Sequence, residues 1–125
     1  MKYAVRISLI AISVLSHAAP LAGQESAVAA EKGSVDFNRD VRPILSNHCF
    51  QCHGEDADAR EADLRLDVRS AAIEIRAIVP GQVNESSIVA RITSHDPDER
   101  MPPASANKPL SAKQIAVLTQ WIVEG

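Results

Sequence analysis

Residues 49–53 read Cys49-Phe50-Gln51-Cys52-His53. This is the C-x-x-C-H pattern, the attachment sequence for c-type haem. Two thiols three positions apart on a helical turn can each add to one vinyl group of a porphyrin. The histidine after the second thiol then lies under the ring centre, where its imidazole binds iron. The pentapeptide therefore predicts one covalent haem c, with Cys49 and Cys52 as thioether sites and His53 as an axial ligand.

Three other uses of a cysteine pair agree less well with this sequence. A thioredoxin-like redox pair needs a βαβ setting, and the chain lacks a convincing alternation of strands and helices. A structural zinc site needs four ligands, which would come from adjacent residues of the motif and from either His48 or His95. A plain disulfide, which an oxidising compartment permits, leaves His53 unexplained.

The residues before the motif predict a short amphipathic helix over 41–49 that leads into the cysteine pair. Asp40 is its expected N-cap, and Pro43 then lies in the first turn, where its missing N–H costs no helical bond. Gly54 allows the chain to leave the helix sharply. The apolar residues that recur near helical spacing are Phe37, Val41, Ile44, Leu45 and Phe50.

The second axial ligand follows by elimination, because Met101 is the only methionine besides Met1. Met101 lies 48 residues after His53, far enough for the chain to cross to the other face of the haem. Pro102 and Pro103 stiffen the loop that presents it. His95, in the same loop, is the alternative ligand, and a solvated surface histidine is the simpler interpretation of it. His/Met ligation favours a relatively high reduction potential, whereas His/His ligation would lower it.

Between the two expected ligands, residues 55–63 form a dense mixed-charge stretch that is predicted to be a solvated loop. Leu64 and Leu66 alternate with Arg65, which would place both leucines against the haem. A haem propionate needs a cation to offset its charge. The spacing does not select among Arg65, Arg69 and Arg42 for that role.

The second half of the chain predicts further helices. Asn84 is the expected N-cap of a short helix that carries Ile88, Val89 and Ile92. Ser111 and Gln114 form an S-x-x-Q capping box ahead of a terminal helix, which would cross the helix at 41–49. The apolar stripe of the terminal helix consists of Ile115, Leu118 and Ile122, widened by Val117 and Trp121. The expected fold class is all-α.

The chain begins with the layout of a secretory signal peptide. Lys2 and Arg6 form a basic n-region, residues 7–15 are apolar, and small residues follow. We therefore expect a signal peptide over residues 1–23, a flexible linker over 24–33 and one domain over 34–125. Export would place that domain in the periplasm or outside the cell, with membrane contact only through the leader if it is uncleaved.

Composition excludes nucleic acid as a partner class. The chain has 125 residues with 13 basic and 16 acidic side chains, and no block of Lys or Arg forms a basic stripe. Aromatic residues make up only 3%, which is low for a chain that must close a core without a large cofactor. An acidic chain of this kind favours partners with a basic contact face.

Five stretches, taken in order, resemble the planctomycete-type cytochrome c domain, a branch of class I cytochrome c. They are VDFNRDVRPILSNHCFQCHG, ADLRLD, AIVPGQVNESSIVARI, DPDERMPP and LSAKQIAVLTQWIVEG. The resemblance implies a small class I cytochrome c-like helical fold around one haem c. It also implies that Cys49 and Cys52 are the thioether sites, His53 the proximal ligand and Met101 the distal ligand. Domains of this type usually lead a longer exported polypeptide, so further domains are possible partners.

The function expected from these features is single-electron transfer through a His/Met-ligated haem iron, with redox proteins as partners and no enzymatic activity. No second acid–base constellation accompanies the expected haem, which argues against catalysis. Two alternatives stay open. One is a haem module of a larger exported redox enzyme. The other is an open-site haem that reacts with peroxide or a small gas, with His95 as a distal acid–base group.

Overall fold

The computed structural model describes residues 34–125, and this range contains helices and loops but no strands. The α-helices are α1 (Arg42–His48), α2 (Phe50–His53), α3 (Arg69–Glu74), α4 (Ser87–Thr93) and α5 (Ala112–Glu124). A π-helical turn (Phe37–Val41) precedes α1, and 3₁₀ turns occupy Val83–Glu85 and Ala104–Ala106. The all-α prediction is confirmed. The predicted signal peptide (1–23) and linker (24–33) lie outside the described residues.

The first helical segment starts one turn earlier than predicted. Asp36, and not Asp40, is its N-cap, because the Asp36 carboxylate accepts the N–H of Arg39 at 2.7 Å. Asp40 instead accepts the N–H of Asp36 at 2.9 Å, so the two carboxylates satisfy backbone donors reciprocally. The π-helical turn lies just before Pro43, which lacks the N–H that an α-helical bond to the Arg39 carbonyl would need.

The terminal helix α5 follows the prediction closely. Ser111 accepts the N–H of Gln114, and the Gln114 side chain accepts the N–H of Ser111, which completes the capping box. Leu118 and Ile122 are buried, at 1% and 2% exposure. The helix packs against the π-helical turn 37–41, against α4 and against the 3₁₀ turn 83–85, and the rings of Phe37 and Trp121 have centroids 5.6 Å apart. The contact therefore lies one turn before the expected crossing at 41–49.

Helix α4 carries its buried face as predicted but begins later. Ile88, Val89 and Ile92 are buried in the core. Asn84 lies in the 3₁₀ turn, and Ser86 occupies the cap position of α4. The buried Ser86 hydroxyl does not cap the helix. It accepts the N–H of Val79 at 2.8 Å instead, and this hydrogen bond stabilises the turn before the helix.

Helix α3 was not predicted. It is a six-residue helix that buries Ala72, and its short apolar face gives no strong periodic signal. The chain turns after it at Gly81, which adopts a φ of 75° and donates its N–H to the Ile122 carbonyl at 2.7 Å. No helix in 34–125 has the length and apolar character needed to cross a bilayer.

Candidate functional site

The C-x-x-C-H motif begins at Cys49, the residue between α1 and α2, and its other four residues form the single turn of α2. The N–H groups of Cys52 and His53 both donate to the Cys49 carbonyl, at 3.1 and 2.8 Å. Both cysteines are free thiols. Cys49 packs against the hydrophobic core and Cys52 is exposed. The motif thus has the helical geometry that attachment to two vinyl groups requires.

Burial controls the chemistry of the inner thiol. It raises the pKa of Cys49 to about 11, with a smaller contribution from Cys52. A thioredoxin-like pair needs the opposite shift, since its attacking cysteine must ionise near neutral pH. The protonated Cys49 thiol therefore counts against a redox dithiol role and is compatible with a thioether site.

Gly54 ends α2, and the backbone geometry there requires glycine. A Cβ at this position would overlap the carbonyl oxygen of Phe50, which belongs to the same turn. The chain leaves α2 in an extended conformation, with φ −124° and ψ −152°. The sharp exit predicted from the sequence is present, and its cause is the close approach of backbone to backbone.

The ring of His53 is oriented by a main-chain acceptor. Its Nδ1 lies 3.2 Å from the carbonyl oxygen of Glu61, which can only accept, so Nδ1 carries the proton. The other ring nitrogen, Nε2, makes no hydrogen bond to any described residue. This is the arrangement that iron-binding histidines show, with one nitrogen held by a second-shell acceptor and the other available for the metal.

The loop after α2 holds the motif through several further hydrogen bonds. Glu61 donates its N–H to the Cys52 carbonyl at 2.7 Å, and Leu66 donates to the His53 carbonyl at 2.8 Å. The Arg60 guanidinium donates to the carbonyls of Gly54 and Glu55, at 3.1 and 3.0 Å. The stretch predicted as a solvated loop is mostly exposed, yet its backbone braces the motif.

A cleft of about 820 Å³ lies beside the motif. This volume falls within the range of small-molecule and cofactor sites. Cys49, Cys52, His53 and Met101 all line it, so the structure brings the four predicted site residues to one cavity. Leu64 and Leu66 also line it, as their alternation predicted, and the remaining wall is largely apolar: Ile75, Ala77, Ile88, Ile92, Pro102 and Pro103.

The loop that carries Met101 is attached to α4. The N–H of Met101 donates to the Arg91 carbonyl at 3.0 Å, and the Arg91 guanidinium donates to the Glu99 carbonyl at 3.2 Å. Arg91 lies near the end of α4, where helix carbonyls lack intrahelical partners. The Met101–Pro102 peptide bond is cis. Sequence reasoning did not identify Arg91, since its role depends on contacts eight and ten residues away.

The other histidines do not compete for the cleft in the same way. His95 lines a second cavity of about 570 Å³, which shares Met101 and the two prolines after it with the first, and it is absent from the walls of the first. His48 lines the first, but both its ring nitrogens are used. Nδ1 lies 3.0 Å from the Lys108 carbonyl, and Nε2 lies 3.1 Å from the Gln114 amide nitrogen. These contacts join α1 to the loop before α5 and to α5 itself.

The cations near the cleft differ from those considered from the sequence. Arg65, Arg69 and Arg42 do not line it, and Arg65 is paired with Asp67. Arg91 and Lys108 do line it. The sequence offered three arginines without selecting among them, whereas the fold brings cations to the cleft from α4 and from the loop before α5.

The described residues fit a c-type haem better than a metal ion alone. No group of three or more His, Cys, Asp and Glu side chains within 34–125 converges as a zinc site would require. The cleft instead combines two thiols, an imidazole with a free Nε2, a thioether and an apolar wall. That donor set matches covalent attachment and His/Met ligation of a haem iron.

Comparison with known proteins points the same way. Residues 49–105 match the model of the planctomycete cytochrome C family, and this range includes all four predicted site residues. The resemblance identified from the sequence is thereby supported. No curated protein and no solved structure gives a significant match.

Proposed function

We propose, taking residues 49–105 as a planctomycete cytochrome c domain, that this chain is an exported mono-haem cytochrome that transfers single electrons. Cys49 and Cys52 would hold the haem through thioethers, and His53 and Met101 would ligate its iron. The bound haem supplies a one-electron Fe(II)/Fe(III) couple. The observation that carries this proposal is the shared cleft, which the motif and Met101 line together.

The residues of the chain support transfer of electrons without transformation of a substrate. The apolar wall formed by Leu64, Leu66 and Ile88 would limit water around a bound haem, and exclusion of water affects the reduction potential of the iron. The Glu61 carbonyl fixes the ring of His53, and the Arg91 carbonyl fixes the backbone of Met101. Two ligands that are each held by a main-chain carbonyl favour a site that changes little between oxidation states.

The open-site alternative lacks the acid–base group that was considered for it. His95 lies on the far side of the Met101 loop from the motif's cleft: it lines the second cavity, which shares Met101 with the first but none of Cys49, Cys52 and His53. We therefore propose an electron-transfer protein and no enzymatic activity for these residues, whether the chain acts alone or as a module of a larger exported redox enzyme. Its partners would be redox proteins of the periplasm or extracellular space, and membrane contact would come only through an uncleaved leader.

Absorption spectroscopy of the haem-loaded protein tests the ligand assignment. The full chain should be coexpressed with haem-attachment machinery and purified in the oxidised state. We expect a Met–iron charge-transfer band and slow cyanide binding, because Met101 fills the sixth position. The Met101→Ala substitution should abolish the charge-transfer band, and the variant should bind cyanide rapidly.

Two controls make this test specific. Ser105→Ala alters another residue of the cleft and should retain the band. His95→Ala should also retain it, because His95 lies outside the cleft. A wild-type protein that carries haem but lacks the band and binds cyanide rapidly would contradict six-coordinate electron transfer and favour the open-site chemistry.

A further inference from the structure

Arg91 contacts the Met101 loop twice. Its carbonyl accepts the N–H of Met101, and its guanidinium donates to the Glu99 carbonyl. One residue of α4 thus holds the loop both at the expected ligand and two residues before it. Arg91 also lines the cleft. It therefore connects the cavity wall to the segment that presents the thioether.

The charge of Arg91 has no carboxylate partner among the described residues. No Asp or Glu oxygen of residues 34–125 lies within 4.0 Å of its guanidinium. Four of the eight arginines in this range are paired with carboxylates (Arg39, Arg60, Arg65 and Arg76). The other unpaired ones, Arg42, Arg69 and Arg100, do not line the cleft. Arg91 is exposed, so its charge is solvated and needs no partner within the fold. What distinguishes it from the other unpaired arginines is its place on the wall of the cleft, where its guanidinium is available to an anionic group of the occupant.

We propose that Arg91 is a positioning residue that binds a carboxylate of the haem and couples it to the Met101 loop. This inference rests on the proposed function, since it requires haem in the cleft. The guanidinium uses one N–H for the Glu99 carbonyl and keeps further donors in the same plane for a propionate. Lys108, the other cation of the cleft, lies 3.3 Å from the Gln51 amide oxygen and presents a single flexible ammonium.

The proposal separates two effects of Arg91 that different substitutions should reveal. Its positive charge offsets the propionate and stabilises the reduced, more negative haem, and a lysine can supply that charge. Its planar guanidinium donates to the Glu99 carbonyl, and the ammonium group of a lysine cannot reproduce that geometry. Arg91→Lys should therefore rescue the potential and leave the loop weakened, whereas Arg91→Gln should impair both.

The test uses the haem-loaded full chain with substitutions Arg91→Gln, Arg91→Lys, Lys108→Gln and Arg69→Gln. Arg69 is the matched control, an exposed arginine that does not line the cleft. Haem content is normalised by pyridine haemochrome. The midpoint potential, the propionate bending mode in resonance Raman spectra and the thermal loss of the Met–iron charge-transfer band are then measured.

Arg91→Gln should lower the midpoint potential. At a fixed applied potential the ratio of oxidised to reduced protein should rise roughly tenfold, the scale of one charge acting across a partly buried site. It should also shift the propionate mode and lose the charge-transfer band at a lower temperature than wild type. Arg91→Lys should keep the potential near that of wild type while still losing the band early.

The proposal is overturned if Arg91→Gln matches Arg69→Gln in potential and propionate mode, or if only Lys108→Gln shifts them. Should Arg91→Gln fail to load haem, Arg91→Lys still decides, because an unchanged thermal loss of the band in that variant contradicts the tether. A wild-type protein without covalent haem or without the band is a different outcome, which overturns the proposed function itself.

Discussion

Nδ1 of His53 lies 3.2 Å from the carbonyl oxygen of Glu61. Because the acceptor is a main-chain atom, no side-chain substitution at position 61 removes it directly. The position of that carbonyl depends on the loop after α2, which Arg60 ties to the carbonyls of Gly54 and Glu55. The orientation of the predicted proximal ligand therefore depends on a residue that contacts neither the ring nor the cleft.

Arg60→Met should loosen this loop and weaken the hydrogen bond to His53. We expect the haem-loaded variant to lose about 1–3 kcal/mol of unfolding free energy, because two carbonyls lose a charged donor. A weaker bond at Nδ1 also makes the imidazole a poorer electron donor, so the midpoint potential should rise. Denaturant titration and spectroelectrochemistry measure the two effects. Arg69→Met, in an exposed arginine away from the cleft, should change neither.

Gly54→Ala should destabilise the protein because its Cβ would overlap the Phe50 carbonyl. We expect a loss of at least about 2 kcal/mol and a lower yield of attached haem, since α2 must shift to relieve the overlap. Gly81→Ala is the comparison. Its Cβ meets no atom within 4 Å, but its φ is 75°, so the cost should be about 1–2 kcal/mol with normal haem attachment. Equal losses in the two variants would contradict the steric explanation.

Leu118→Ala should remove a buried contact of α5 with the core. Leu118 is 1% exposed, and truncation at such a site costs about 2–5 kcal/mol. Val123→Ala changes the same helix at a position that is 50% exposed and should stay within about 0.5 kcal/mol of wild type. Denaturant unfolding of the haem-loaded proteins compares them. A small loss at Leu118 would mean that α5 does not close the core.

Asp40 should stabilise the fold at neutral pH and lose that effect in acid. The Arg39 guanidinium, and then the N–H of Asp36, lower the pKa of Asp40 from 3.8 to about 2. Because the folded-state pKa lies below the ordinary one, the stabilisation is present above pH 3.8 and disappears as the pH falls through about 2. Asp40→Asn should therefore be less stable than wild type at pH 7 and converge with it near pH 2.

The comparison for this prediction is Asp58→Asn, in an exposed carboxylate of the loop after α2. Asp58 forms no ion pair with a described residue, so its substitution should not reproduce the effect of Asp40→Asn. The unfolding midpoint in denaturant is measured for each protein across the acid range. A difference between Asp40→Asn and wild type that persists unchanged below pH 2 would show that the charge of Asp40 is not its source.

Local sequence signals predicted the parts of the fold that local chemistry determines. The Ser111–Gln114 capping box and the buried face of α4 are set by residues three or four positions apart, and both are present. The motif with its glycine exit is likewise one turn long. The predicted N-cap of the first helical segment, Asp40, was wrong because Asp36 and Asp40 are both suitable capping residues and only the fold decides between them. Phe37, the first residue of that segment, packs against Trp121, which is distant from it in sequence. A contact of this kind gives no local signal.

The candidate site was only partly predictable for the same reason. Covalent attachment, His53 and Met101 were expected from residue type and motif. The acceptor for His53 and the anchor for Met101 are main-chain carbonyls, of Glu61 and Arg91, and a carbonyl leaves no signature in residue identity. Their positions follow from how the loops pack against the helices.

Detection of covalent haem on the full chain is the most direct test of the central claim. The full chain and its Cys49→Ala and Cys52→Ala variants should be produced with haem-attachment machinery and examined by intact mass and pyridine haemochrome spectrum. We expect the wild type to carry the added mass of one haem and a haemochrome typical of two thioether bonds, and each variant to lose one bond or all attachment. A wild-type chain of unmodified polypeptide mass, free of haemochrome absorption, would contradict the assignment of the cleft to haem c.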